Sequence, residues 1–216
     1  MGILTCACPK PTALTAITAV TCGFKLEQIV RMAFVRYTET PYFVEGVNAI
    51  EDLASWTAAK GETDGTKHVI SPLFSNLVIP PSEALEEGGN DNTTVNGVPV
   101  YLGEGVVQVT GFFRNLPPAV KDELELLSCE SDASAAGSAQ LGAYLINRAG
   151  DIFNKEDATP DPYPLEIFNF RLGTRGTEGF AKDDITPFSF YLPAGWDTGL
   201  VVEKRATLDF NPLTQI

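Results

Sequence analysis

The chain has 216 residues, 44% of them apolar and 20% charged, with a formal net charge of −13. A chain of this length can bury a sizeable core without disulfides or metal. The acid excess argues against an electrostatic grip on nucleic-acid phosphates, which needs clustered Lys and Arg, and its plainest reading is solubility. Thirteen Phe and six Tyr favour strands, and nineteen Gly with fifteen Pro favour many turns. No apolar run reaches the length that spans a bilayer.

Residues 1–22 read as an N-terminal arm, either free or ordered by a neighbour. They lack a basic n-region and a small-residue cleavage site, and Cys6 stands where a myristoylation motif needs Ser or Thr. In FKLEQIVRMAFVRYTE, Leu26, Ile29, Val30, Ala33, Phe34 and Tyr37 fit a helical face. The RMAFVRY part alternates as a strand would, and both readings stay open. Residues 47–60 predict a short helix ending near Gly61. From 61 to 105 the chain makes a long excursion with extended ends and an acidic, Gly- and Asn-rich middle. Its apolar residues Val69, Ile70, Leu73, Phe74, Val78 and Ile79 call for packing, against a partner or against the chain's own body. The projecting arm is placed at 70–105, within a single β-rich domain over 23–216.

The stretch 106–153 reads as strand, helix and hairpin. In VVQVTGFF, Val107, Val109 and Phe113 point one way and Gln108 and Thr110 the other. Asn115 is placed to cap the next helix, Pro117 and Pro118 suit its first turn, and Val120, Leu124 and Leu127 share one face. SDASAAGSA predicts a flexible connection, and Arg148-Ala149-Gly150-Asp151 a turn between two apolar runs. The C-terminal third reads as strands. Phe168, Phe170 and Leu172 are expected on one face, Phe188, Phe190 and Leu192 on another, and a last strand alternates through 200–210. PAGWDTG reads as a turn. The fold class is mainly β, a sandwich or barrel with one packed α-helix.

Chemistry is sparse. His68 is the only histidine, which removes most triads and His-based zinc sites; beside a β-run it reads as structural or exposed. Cys6, Cys8, Cys22 and Cys129 could supply four thiolates, but paired CxxC spacing is absent and reduced structural thiols are the plainer reading. GETDGTKH fails the phosphate-loop pattern. The Asn90, Asp91 and Asn92 oxygens lack the calcium-loop pattern. Glu86–Glu87 and Asp183–Asp184 are sequence neighbours that cannot face each other across a cleft. The expectation is a non-enzyme with no catalytic residues, cofactor or metal. Trp56 and Trp196 would serve a carbohydrate- or receptor-binding module if exposed, and otherwise read as core or interface.

The segment TDGTKHVISPLFSNLVIPPSEALEEGGNDNTTVNGVPVYLGEG, followed by VTGFFRNLPPAVKDELELLSCE and LGAYLINRAGDIF, resembles virion structural proteins of tailed bacteriophages, in particular those of Bacteroides-type gut phages. The order of strands, packed helix, long arm and free N-terminal segment is similar to the tail-tube family, over roughly residues 22–210. The resemblance implies a β-sandwich or barrel protomer that assembles into rings, usually hexameric. Those rings stack into a conduit through which DNA passes without specific binding. It implies self-contacts and contacts with other virion proteins, location in the virion after assembly in the host cytoplasm, and bridging by residues 1–22 and 70–105. The candidate interaction residues are Val69, Ile70, Leu73, Phe74, Val78 and Ile79, with Cys6 and Cys8 on the arm. A head-decorating or head–tail connector protein is the structural alternative. Exposed strand edges suit such assembly, since they pair readily with another chain.

Overall fold

The computed structural model describes residue 26 and residues 28–38, 40–89, 97–131, 141–156, 160–177, 179–180 and 182–216. Cys6, Cys8, Cys22, the segment 1–22, the arm tip at 90–96 and most of SDASAAGSA lie outside the described residues. In chain order the elements are β1 (Ile29–Arg36), α1 (Leu53–Gly61), β2 (Val69–Ile70), β3 (Phe74–Val78), β4 (Ala84–Glu87), β5 (Val100–Glu104), β6 (Val107–Arg114), α2 (Pro118–Glu130), β7 (Leu141–Asn147), β8 (Ile152–Glu156), β9 (Pro162–Tyr163), β10 (Leu165–Leu172), β11 (Gly176–Thr177), β12 (Asp184–Leu192) and β13 (Leu200–Glu203). The fold is mainly β, as the aromatic and β-branched composition implies. Among the described residues no helix is long and apolar enough to cross a membrane.

The antiparallel pairings return to their starting strand. β1 pairs with β7, β7 with β10, β10 with β12, β12 with β6, and β6 with β3. β2, three residues before β3, pairs back onto β1. The break between β2 and β3 is bridged by Ser71, whose backbone N–H donates to the Met32 carbonyl at 2.8 Å and whose Oγ accepts from the Met32 N–H at 2.9 Å. This brings the β2–β3 segment round to β1 and closes the path as a barrel, while among the described residues β9, β11 and β13 each pair on one side only. Inside sit Met32, Phe34, Phe74, Val109, Phe113, Leu145, Phe170, Phe188 and Phe190. Leu124 of α2 is buried against this core, and Val120 and Leu127 pack on it, the face read from the helical spacing.

A second apolar layer lies on the other side of β1 and β7. There Ala33, Val35, Tyr144 and Ile146 meet Trp56 and Ala59 of α1, Phe43, Leu208 and Phe210. β1 therefore buries residues on both faces, which explains why its apolar pattern imitates a helix; it is a strand. β8 extends β7 beyond its pairing with β10 and carries β13 on its far side. Arg31 ties down the C-terminal segment, donating from Nη1 to the carbonyls of Pro212 and Leu213 at 3.1 and 3.0 Å.

Four local expectations change in the structure. The helix predicted over 47–60 begins only at Leu53, and its first N–H is met from outside by Asp209 Oδ1 at 2.8 Å. Asn115 does not cap α2, which starts after Pro117 with no side-chain cap. It adopts a left-handed φ of 48° and bonds across to β12, accepting from Asp184 N–H at 3.1 Å and donating to Asp183 Oδ1 at 3.0 Å. In β10 the face changes at Asn169, also left-handed, so Leu165, Ile167 and Phe170 are buried while Phe168 is displaced from that row. β13 ends at Glu203, because Arg205 N–H turns to Asp151 Oδ1 at 2.9 Å and Thr207 N–H closes on the Lys204 carbonyl.

Gly111 stands opposite Phe188 in the β6–β12 ladder. A Cβ there would meet the Phe188 ring at 2.6 Å, so the ring occupies the space a side chain would take. Gly111→Ala is expected to destabilise the fold by about 1–3 kcal/mol through overpacking, read as a lower midpoint in chemical denaturation with an unchanged slope.

Candidate interaction surfaces

Among the described residues, exposed large apolar side chains are most numerous on and beside the hairpin of β4 and β5. These strands pair only with each other among the described residues, as a separate two-stranded sheet. At its base Gly105 N–H donates to the Glu83 carbonyl at 2.8 Å. Every residue of β4 is exposed, and Leu85, Tyr101 and Leu102 are 52%, 59% and 61% exposed. Val98 and Val100 are exposed as well. An isolated two-stranded hairpin is marginal in water, and contiguous exposed apolar groups mark interaction sites.

The residues singled out from sequence lie along β2 and β3 on the barrel wall, and of these Val78 and Ile79 reach the foot of the hairpin beside Glu104. Val69, Leu73 and Val78 are exposed, and Ile70 and Ile79 are half-buried against the two cores. Phe74 is buried, edge-on to Phe113 and Phe188 at 5.9 and 5.2 Å, so it serves the barrel interior. The projecting part is narrower than 70–105, since residues 70–78 help close the barrel. Leu85, Val100, Tyr101 and Leu102 were the residues missed. The available signal was VPVYLGEG, whose apolar residues fall on consecutive positions and therefore on both faces of a strand.

His68 is buried in an aromatic cage. Its ring lies 5.2 Å from Tyr42, 5.1 Å from Phe43, and 5.8 Å from both Trp56 and Tyr144, stacking on the last. Nδ1 meets the Thr66 carbonyl at 2.9 Å and Nε2 has no partner. Burial lowers its pKa to about 4, against a weaker opposing pull from the Thr66 carbonyl. His68 is therefore neutral near pH 7; its backbone N–H, independently of the ring, donates to the Ala59 carbonyl of α1 at 2.9 Å. Trp56 is fully buried, its Nε1 donating to the Ile50 carbonyl at 2.7 Å, so it offers no glycan platform. Cys129 is exposed on α2. GETDGTKH is a turn, with Asp64 Oδ1 accepting from Thr66 N–H at 2.8 Å.

The acidic pairs have separate surroundings. Glu86 and Glu87 are exposed on β4. Asn115, then Arg114 at 3.1 Å, hold the Asp183 carboxyl below its ordinary range. Among the described residues no three His, Cys, Asp or Glu side chains are grouped to hold a metal ion. Glu45, Glu51, Glu156 and Glu203 do line one small cavity of about 190 Å3. Burial, then the charges of Glu51 and Glu156, raise the Glu203 pKa, against a contact from Asn154.

These two groups make opposite contributions to the pH dependence of stability. The lowered pKa of His68 means that its neutral form belongs to the fold. Its contribution is complete above about pH 6.5 and is lost as pH falls toward 4, by roughly 3 kcal/mol in total. His68→Phe is expected to flatten that part of a Tm-against-pH profile. Glu203 is more easily charged in the unfolded chain, so its effect turns unfavourable as pH rises through the carboxylate range. Glu203→Gln is expected to raise Tm at pH 7, with the difference closing in acid. Compared with known proteins, the chain matches no family model, and no curated sequence is similar enough to count as a relative.

Proposed function

We propose that this protein is a non-enzymatic structural component of a phage virion, tail tube-like, that works by joining copies of itself into stacked rings. The observation that carries the reading is the β4–β5 hairpin, whose apolar side chains are exposed on a sheet that has two strands among the described residues. Such an element gains its stability from a surface outside its own barrel. The −13 charge suits a conduit wall along which a polyanion slides without sticking. Head-to-tail contact between hairpin and a neighbour's wall closes a ring under cyclic symmetry and leaves stacking open-ended. The partners in this reading are other copies, further virion proteins and passing DNA.

Light scattering across a concentration series, followed by negative-stain imaging, tests it. The wild-type chain is expected to form rings or tubes. The double variant Tyr101→Lys, Leu102→Asp is expected to stay dispersed with an unchanged Tm, because neither side chain packs in the barrel. A wild-type chain that stays monomeric at every concentration, with no rings on the grid, overturns the proposal.

A further inference from the structure

A second surface lies at the foot of the hairpin. Leu77, Ile79, Pro80, Pro81 and Trp196 wall an open groove of about 650 Å3, with Glu104 and Asp197 among its lining. Leu26 and Ile29 line it as well, so the 25 residues before Leu26 are tethered to its wall. Those residues contain Lys10 and Lys25 and no Asp or Glu. The remaining chain carries all 28 acidic residues against 13 basic ones, the 15 of the whole chain less these two. The tethered segment is thus cationic and apolar, next to an apolar groove whose charged groups are both acidic.

We infer that the chain's own N-terminal segment fills this groove, with Pro9-Lys10-Pro11 against the Pro80–Pro81 and Trp196 walls and Lys10 paired with Glu104 and Asp197. Prolines fit such a site for physical reasons. Their φ is already fixed, so little entropy is lost on docking, and they bring no backbone N–H that would need a partner. Proline-rich strands dock on aromatic-lined grooves by this means. Fourteen residues lie between Pro11 and Leu26, enough for roughly 50 Å of extended chain, so the segment has slack to turn back. The tether holds it at high effective concentration, which favours the segment of the same chain over that of a second copy. The docking is independent of ring formation, since it involves one chain.

Disulfide trapping in the full-length protein at high dilution tests the inference. Ser82 lines the groove, and Cys8 directly precedes Pro9. Under mild oxidation Ser82→Cys is expected to form an intramolecular link to Cys8 or Cys6, about tenfold faster than any link made by the exposed control Ala206→Cys. Adding Lys10→Glu is expected to slow it several-fold at low salt. Links no faster than the control's, links only to Cys22 near the tether point, or links only between chains overturn it. Hydrogen exchange without any added cysteine gives a second readout. Lys10→Glu is expected to speed exchange at Leu77–Ile79 and leave β12 unchanged, and equal rates at Leu77–Ile79 overturn the inference. Because single chains are measured, a failure of ring assembly leaves both readouts intact.

Discussion

The strand β7 must be buried twice, and most of the architecture follows from that. All seven of its residues are buried. Leu141, Ala143 and Leu145 face the barrel interior, and Tyr144 and Ile146 face the aromatic layer under α1. With no face in water, its backbone groups need partners on both edges. β1 covers one edge along its length, while β10 and β8 divide the other. Gly142 permits the close crossing at one end, where an added Cβ would meet the Pro164 ring at 2.7 Å.

The divided edge forces the chain to turn corners, and asparagine makes two of the turns. Asn169 lies at the bulge where β10 passes from β7 to β12, and Asn76 lies at the bulge in β3. Both are left-handed, a conformation asparagine tolerates better than most residues. The end of α2 locks the first corner, with Ser131 Oγ accepting from Phe170 N–H at 2.8 Å and the Ser131 carbonyl accepting from Asn169 N–H at 2.7 Å. Helix and barrel are joined at the corner by backbone and side-chain hydrogen bonds of Ser131 as well as by apolar contact.

Against this closed body the hairpin stands out. The barrel pairs its strands and encloses its aromatic rings, whereas β4 and β5 leave Leu85, Tyr101 and Leu102 in water. The only histidine is neutral and caged among aromatic rings rather than facing a cleft. The balance of exposed chemistry is apolar contact and negative charge. This is the physical basis on which an assembly function is proposed, with the hairpin turned toward a neighbour and the groove toward the chain's own beginning.

Much of the local structure was legible in the sequence because it depends on near neighbours. The alternation in β6 and β12, the apolar face of α2, the prolines at its start and the turn at 148–151 each follow from period, φ preference or turn chemistry. Other features depended on partners distant in the chain. The 24–39 segment reads as helix or strand until the barrel interior and the layer under α1 bury the two faces of β1. Asn115 offers a cap until Asp183 and Asp184 provide better-placed partners, and Phe168 belongs to its row until a bulge shifts it. The exposure of the hairpin is of the same kind. Apolar residues in a strand carry no mark of whether a second layer will cover them, because burial is a property of what packs against a residue, and only the folded chain decides that.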